Sequence, residues 1–351
     1  MTVIEAVRTD LDGVRAGVDA VLDRFLEDKA RAAPDPCLPP LVEVLREFLA
    51  GGKRLRPLFC HTGFLAAGGS PADPAPVLVG AALELFHSSA LVHDDIMDRS
   101  ALRRGRPTVH RLLAERFGDE RLGVNTAILV GDLCFGWSGE LLDELEVDPA
   151  RMVAVRDLLH TMRIELIAGQ YLDLARKVRG TADPVRAAWR VIRLKTARYT
   201  VELPLRIGAA LAGADAALMR ACGAYGRPVG EAYQLRDDLL GVFGDPRDTG
   251  KPALDDLREG KHTVLMALAR QQATPEQREV ITALLGAPDL DRGQAERLRA
   301  AVRATGAGER VERLIAVRVE RALGVVRAGA FHPSAKPVLT ELVAQATRRG
   351  R

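Results

Sequence analysis

The stretch PVLVGAALELFHSSALVHDDIMD, residues 76–98, decides the fold. Val77, Leu78, Val79, Ala81, Ala82, Leu83, Leu85 and Phe86 leave it almost no polar face, which predicts a helix buried on nearly all sides. The same stretch ends in carboxylates. On a helix Asp94 and Asp98 lie roughly 40° apart around the axis, with Asp95 beside them. Carboxylates grouped this way suit hard divalent cations, and magnesium shares its remaining positions between water and substrate phosphate. The competing reading is a solvated helix end. Leu91, Val92, Ile96 and Met97 argue against it, because unpaired carboxylates inside apolar surroundings are costly.

Outside this stretch the chain keeps the same grammar. Segments rich in Ala, Leu, Val, Arg and Glu repeat their apolar residues at three and four, and few alternate as strands do, so an all-α fold is expected. With 351 residues, 47% of them hydrophobic, the chain can bury an aliphatic core without disulfide or metal. No linker, low-complexity tract or repeat divides it, which predicts one domain over residues 1–351. Basic and acidic residues number 50 and 47 and are interleaved, an arrangement that excludes a nucleic-acid surface. Cys37, Cys60, Cys134 and Cys222 form no CxxC pair and read as buried thiols in a reducing cytoplasm. The start has no signal-peptide core, and the apolar runs are too short to predict a membrane span.

A second acidic cluster, Asp237 and Asp238, follows another apolar helical run in QLRDDLLGVFGD. Two such patches suggest two walls that need cations between them, since facing carboxylates repel. The bland alternative is two unrelated surface patches. Basic groups supply the counterpart: GGKRLRP (51–57) offers Lys53, Arg54 and Arg56, and RRGRPT offers Arg103 and Arg104. Arginine forks and lysine point charges are the usual partners of diphosphate oxygens. The segment FGDPRDTGKP, followed by Lys261, has the glycine spacing of a loop that opens and closes over a site.

Taken in order, GGKRLRP, ELFHSSALVHDDIMDRSALRRGRPTVH, GQYLDL, KTARYT and YQLRDDLLGVFGDPRDTGKPALDDLREGKHT resemble the signatures of the trans-type (head-to-tail) polyprenyl diphosphate synthases, most nearly the short-chain geranylgeranyl and farnesyl enzymes. The resemblance covers about residues 40–270. It implies an isoprenoid synthase fold, a helical bundle around a central substrate cavity and, by family expectation, a homodimer. It implies that Asp94, Asp95 and Asp98 bind magnesium bridging to the allylic diphosphate and that Asp237 and Asp238 hold a further ion, three per site in all. Gly241 stands where a third aspartate often sits, so the second motif is one carboxylate short; Asp245 is a candidate helper through water. The isopentenyl diphosphate pocket falls on Lys53, Arg56, His87 and Arg104. The allylic pocket falls on Arg103, Lys195, Thr196, Gln234, Lys251 and Lys261. Gln170 and Asp173 look like a polar pair near the cavity, with a plain interhelical hydrogen bond as the alternative.

The implied reaction joins isopentenyl diphosphate to an allylic diphosphate of C5, C10 or C15. Product length in the family depends on side chains upstream of the first aspartates. Here Ser89 and Ala90 are small and leave the upper tunnel open, while Phe86, roughly 12 Å along the axis from Asp94, is a possible floor. That predicts geranylgeranyl diphosphate (C20), with farnesyl (C15) and geranylfarnesyl or longer products as alternatives. Two other classes compete. A class I terpene cyclase binds one diphosphate, whereas GGKRLRP and the second arginine of RRG argue for two. A non-catalytic subunit of a heteromeric synthase would be expected to lose the metal aspartates, and this chain keeps them.

Overall fold

Helix follows helix through residues 3–179, 181–244, 254–329 and 331–347, which a computed structural model of the chain describes. The chain divides into two compact units whose segments interleave along the sequence. One comprises residues up to 155, 204–214 and 332–337; the other comprises 156–203, 215–331 and 338 onward.

The first unit contains α1 (Val3–Arg31), α2 (Leu38–Leu49), α3 (Leu55–Ala66), α4 (Ala75–Met97), α5 (Val109–Phe117) and α6 (Glu120–Asp143). The 76–98 stretch is α4, as its all-round apolarity requires. It packs against α1, α3 and α6. Leu83 and Leu85 are fully enclosed, and each buried leucine is worth about 1.5–3 kcal/mol relative to exposure. Among the described residues α4 alone is long and apolar enough to cross a bilayer by composition, yet its apolar window is 67% buried in the protein, the pattern of a core helix. Between α4 and α5 the basic segment makes a small antiparallel hairpin, β1 (Leu102–Arg103) with β2 (Arg106–Pro107). Arg104 and Gly105 turn it with φ of 53° and 75°, the left-handed pair that a two-residue hairpin turn demands.

Helix α7 (Pro149–Arg179) begins in the first unit and continues into the second. There α8 (Pro184–Val191) runs into a π-helical stretch, Ile192–Glu202, before α9 (Leu203–Leu211), most of which belongs to the first unit. The remainder of the second unit is α10 (Ala216–Phe243), α11 (Asp255–Arg258), α12 (Val264–Gln272), α13 (Pro275–Leu284), α14 (Arg292–Ala304), α15 (Ala307–Arg327) and most of α16 (Ala335–Thr347). Helix α10, capped by the Asp215 carboxylate and continuous through Pro228, packs on the π-helical stretch and on α15. Its apolar side, including Leu235, Leu239 and Val242, joins Leu257, Val264 and Leu268 in the core. Tyr225 on the same helix donates to the carbonyl of Leu339 at 2.7 Å and so ties α16 to α10. All four cysteines are free thiols; Cys60, Cys134 and Cys222 are buried, but Cys37 is exposed because it lies in the proline-rich turn entering α2.

Candidate active site

In the first unit the site is built where the GGKRLRP segment meets the basic hairpin. The entry to α3 is left-handed at Gly51, Gly52 and Arg54, with φ of 75°, 110° and 48°. A Cβ at Gly52 would stand 3.0–3.2 Å from the Arg104 guanidinium, so glycine there lets Arg104 lie across the backbone and donate to the Gly51 carbonyl at 3.3 Å. Arg54 turns inward. It is 5% exposed and donates to Asp19 at 2.8 Å and to the buried Glu84 at 2.9 Å. Burial opposes its charge, and Glu84 and Asp19 outweigh that opposition. Arg54 is therefore an anchor for the segment that carries Lys53 and Arg56. Sequence reasoning grouped it with those residues because its acidic partners lie 35 and 30 residues away.

His87, on α4, sits partly buried among these cations. Desolvation, followed by the charges of Arg56, Arg104, Arg103 and Arg54, holds its pKa well below the ordinary value. A neutral imidazole inside a ring of guanidiniums is a hydrogen-bonding group in a field prepared for an anion.

The first acidic motif closes α4. Asp98 is the C-cap residue, its N–H bonded to the Asp94 carbonyl at 2.8 Å, and no basic residue occupies the last turn. Carboxylates at the negative end of a helix dipole are electrostatically disfavoured unless cations approach them. Asp95 already has one. It is fully buried, and Arg103 Nε donates to both of its oxygens at 2.9 and 2.8 Å while Nη2 reaches Oδ1 at 2.6 Å. Asp94 stands 3.9 Å from the same guanidinium. Burial lowers the pKa of Arg103, but Asp95, Asp94 and Asp98 raise it overall. The geometry thus separates the three aspartates: Asp95 fixes Arg103, while Asp94 and Asp98 remain partly exposed at the helix end.

Below them on α4, Phe86 is 4% exposed and meets Phe135 of α6 edge to face, with ring centroids 5.9 Å apart. Ser89 is buried and Ala90 half-buried on the same helix.

In the second unit the site centres on the π-helical stretch. A Cβ at Gly169 of α7 would come 2.6 Å from the Lys195 nitrogen, and one at Gly230 of α10 would come 2.5 Å from the Cα of Ala197. These two glycines let flanking helices press on the stretch backbone to backbone, where π geometry is a common device of functional sites. Lys195 Nζ pairs with Asp173 at 3.1 Å. Thr196 Oγ1 donates to Gln234 Oε1 at 2.7 Å, and Gln234 Nε2 donates to Asp238 Oδ1 at 2.8 Å. Three residues expected at the site, Thr196, Gln234 and Asp238, are one hydrogen-bonded chain.

Asp238 is 8% exposed, and its Oδ2 is buried without a hydrogen-bond partner. Desolvation, then the neighbouring Asp237 and Asp256, push its pKa up to about 7 against the help of Gln234. A buried carboxylate oxygen without a partner is a ready cation ligand. Gln234, Asp237, Asp238, Asp256 and Lys261 line one small cleft. Lys261 Nζ bonds Asp256 at 2.6 Å and lies 3.2 Å from Glu259. Burial works against its charge, but Asp256 and Glu259 raise its pKa overall. Lys251 and Asp245 lie outside the described residues.

Among the described residues no three acidic, histidine or cysteine side chains converge on one point. Magnesium does not require that: it binds through one or two carboxylates and fills its octahedron with water and phosphate. The helix-end aspartates of α4 in the first unit fit such an ion, and so, separately, does the orphaned oxygen of Asp238 in the second.

Comparison with known proteins agrees with this chemistry. The chain is 33% identical to a geranylfarnesyl diphosphate synthase of Aeropyrum pernix, over 92% of this chain and 97% of the relative. It is 32% identical to a geranylgeranyl diphosphate synthase of Mycobacterium tuberculosis, over 88% and 90% respectively. The solved structure of geranylgeranyl pyrophosphate synthase from Corynebacterium glutamicum, complexed with isoprenyl diphosphate and magnesium, superposes with a TM-score of 0.91 at 38% identity, covering 97% of this chain and 99% of that one. The family profile described as polyprenyl synthetase matches residues 39–302, crossing both units, and the chain belongs to that family.

Proposed function

We propose that this prenyltransferase condenses isopentenyl diphosphate with C5, C10 or C15 allylic diphosphates in a magnesium-dependent reaction and stops at geranylgeranyl diphosphate, C20. The observation that carries the reading is that paired aspartates stand at the end of α4 and in the last two turns of α10, in a chain that also gathers Arg54, Arg56, Arg103 and Arg104 around a neutral His87. The pairing suits a substrate set of two diphosphates and their counter-ions. Asp94, Asp98 and Asp237 are the residues that would hold magnesium, three ions per site, with Asp238 supporting them; Asp95 acts on Arg103. Magnesium, when bound, neutralises the allylic diphosphate and makes it a better leaving group.

The chain's own groups do the rest. Lys53, Arg56, His87 and Arg104 hold isopentenyl diphosphate, with Arg54 fixing their segment from below. Arg103, Lys195 and Lys261 balance charge on the allylic diphosphate, joined by Lys251 on the sequence pattern. As the allylic C–O bond breaks, its electron pair leaves with the diphosphate, and the hydroxyl dipole of Thr196, oriented by Gln234, steadies the allylic cation. The isopentenyl double bond attacks that cation, and a proton then passes to the departed diphosphate, so no separate protein base is needed.

Phe86 is the proposed floor of the product tunnel, with Ser89 and Ala90 leaving the space above it open. Geranylfarnesyl diphosphate is the second reading, favoured by those same small residues and by the similarity to the Aeropyrum pernix enzyme. The whole chain acts as one functional domain, a reading supported by the family match that crosses both units. It works in the cytoplasm as a homodimer, and α6 offers the surface for that: Leu122, Ile128, Leu129 and Phe135 are each at least 40% exposed on it.

The test is to incubate protein and magnesium with labelled isopentenyl diphosphate and each primer, then size products by mass spectrometry. A C20 product from all three primers, lengthened in Phe86→Ala, is expected. Absence of condensation with every primer would overturn the enzymatic reading. A dominant C15 product, or a Phe86→Ala product of unchanged length, would overturn the floor alone.

A further inference from the structure

A π-helical stretch is a rare geometry, and something must hold it. At the end of Ile192–Glu202 the N–H of Leu203 reaches back five residues to the carbonyl of Arg198. The Arg198 side chain branches at the same place: Nε donates to Glu165 Oε2 of α7 at 2.5 Å, and Nη1 donates to Glu202 Oε1 at 3.0 Å. Arg227 of α10 in turn donates to both oxygens of Glu202, at 3.2 and 3.4 Å. Glu202 is 1% exposed, and a Cβ at Gly226 would come 2.7 Å from its Cα, so α10 presses on the backbone there. Glu165, Arg198, Glu202 and Arg227 thus form one ionic chain from α7 through the stretch to α10. Near Thr196 the stretch is tied to the same two helices, by Lys195 to Asp173 of α7 and by Thr196 to Gln234 of α10.

A buried ion network adds little net stability over apolar packing of the same volume, but it can fix a register. We infer that Arg198 is a positioning residue: with Glu165, Glu202 and Arg227 it holds the π register that aims the Thr196 hydroxyl. This rests on the role of that hydroxyl in the prenyl transfer proposed above. Relaxed to α geometry, each backbone bond would span four residues instead of five, and Thr196 would turn relative to Glu202, which Arg227 holds to α10. The alternative role for Arg198 is a staple that joins α7 to the stretch without affecting the hydroxyl. The two roles differ in how substitutions at Arg198 and Thr196 combine.

The experiment is a double-mutant cycle on the single-turnover condensation of isopentenyl diphosphate with the C15 allylic diphosphate, with thermal unfolding followed in parallel. Arg198→Met should lower the maximal rate about tenfold to a hundredfold, the size expected of a displaced reacting group. The half-saturating concentration of each substrate should stay within about twofold of wild type, because the hydroxyl acts on the cation and not on binding. In a Thr196→Val background, where the hydroxyl is gone, Arg198→Met should cost less than about twofold further. Glu165→Gln cuts the α7 side alone and leaves Glu202 paired with Arg198 and Arg227, so it serves where Arg198→Met fails to fold. It should lower the rate about threefold and lose that effect beside Thr196→Val. A wild-type rate in folded Arg198→Met overturns the inference, as does a wild-type rate in Glu165→Gln if Arg198→Met does not fold. A fully additive loss with Thr196→Val overturns it equally, since a staple alone behaves that way. If Thr196→Val by itself runs at the wild-type rate, the proposed role of the hydroxyl falls and this inference falls with it. A wild-type protein that makes no product with any primer removes the enzymatic reading as well.

Discussion

The aspartates that end α4 and those near the end of α10 differ in how their charge is answered. At α4 the most buried carboxylate, Asp95, is gripped by Arg103 through three short contacts. At α10 the most buried one, Asp238, is hydrogen-bonded by the neutral amide of Gln234, and Lys261, which lines its cleft and eases its charge, is hydrogen-bonded to Asp256. The buried carboxylate of the first motif is hydrogen-bonded by a guanidinium, that of the second by a neutral amide. Burial is similar in the two cases, so what differs is the partner. A buried carboxylate with a guanidinium fixes a basic residue in place, whereas one with an orphaned oxygen stores a demand for metal.

Asp94→Asn breaks the comparison at its functional end and should have the largest effect. It keeps the shape of the α4 terminus and removes a proposed metal ligand, so kcat for condensation should fall about 10²–10³-fold. Steady-state rates at saturating magnesium check this, and a loss below tenfold would separate Asp94 from the metal.

The next two substitutions should move stability in opposite directions. Arg103→Met leaves Asp95 buried without its counter-ion and should cost about 3–5 kcal/mol in denaturant unfolding. Asp238→Asn should instead stabilise the metal-free protein, by about 1–3 kcal/mol at pH 8, because it removes a buried charge with an unsatisfied oxygen. The pH profile gives the sign. Asp238 has a folded pKa of about 7 against an ordinary value of 3.8, so the folded state holds the extra proton between those limits. Its contribution to stability is complete below about pH 4 and is lost as pH rises through 7. Asp238→Asn should flatten that decline in a titration with EDTA present, and the same sign for both substitutions would contradict the contrast between the two helix ends.

The smallest effect concerns His87. Its folded pKa lies well below the ordinary 6.5, so the unfolded chain takes up a proton that the folded state refuses. Stability should therefore fall as pH drops below 6.5, with a limiting slope of about 1.4 kcal/mol per pH unit for this one group. His87→Gln should remove that slope. An unchanged acid limb in the variant would place the histidine outside the arginine field.

How much of this was legible in the sequence follows from how local each feature is. The burial of α4 shows in Val77 to Phe86, because apolar residues on every face leave a helix nowhere else to go. The position of Asp94 and Asp98 at its end follows from the same string. The ordered motifs carried the family. What escaped depended on partners far along the chain. Arg54 reads like Lys53 and Arg56 until Asp19 and Glu84 are placed beside it. Asp95 reads like Asp94 until the β1–β2 hairpin brings Arg103 against it. The π-helical geometry at Lys195 and Thr196 has no signature in KTARYT, since the close approaches at Gly169 and Gly230 come from other helices. Gly241 looked like a missing ligand; only the fold shows that Asp256 stands in its side-chain space.

The central claim, that the proposed condensation depends on metal held by the aspartates of α4 and α10, is tested most directly by the magnesium dependence of the wild-type reaction. Single-turnover joining of isopentenyl diphosphate to the C15 allylic diphosphate should give C20 product only with magnesium, and its rate should rise more steeply than first order in the ion at low concentration. Product formed at the same rate in EDTA, or a strictly first-order dependence throughout, would contradict the account.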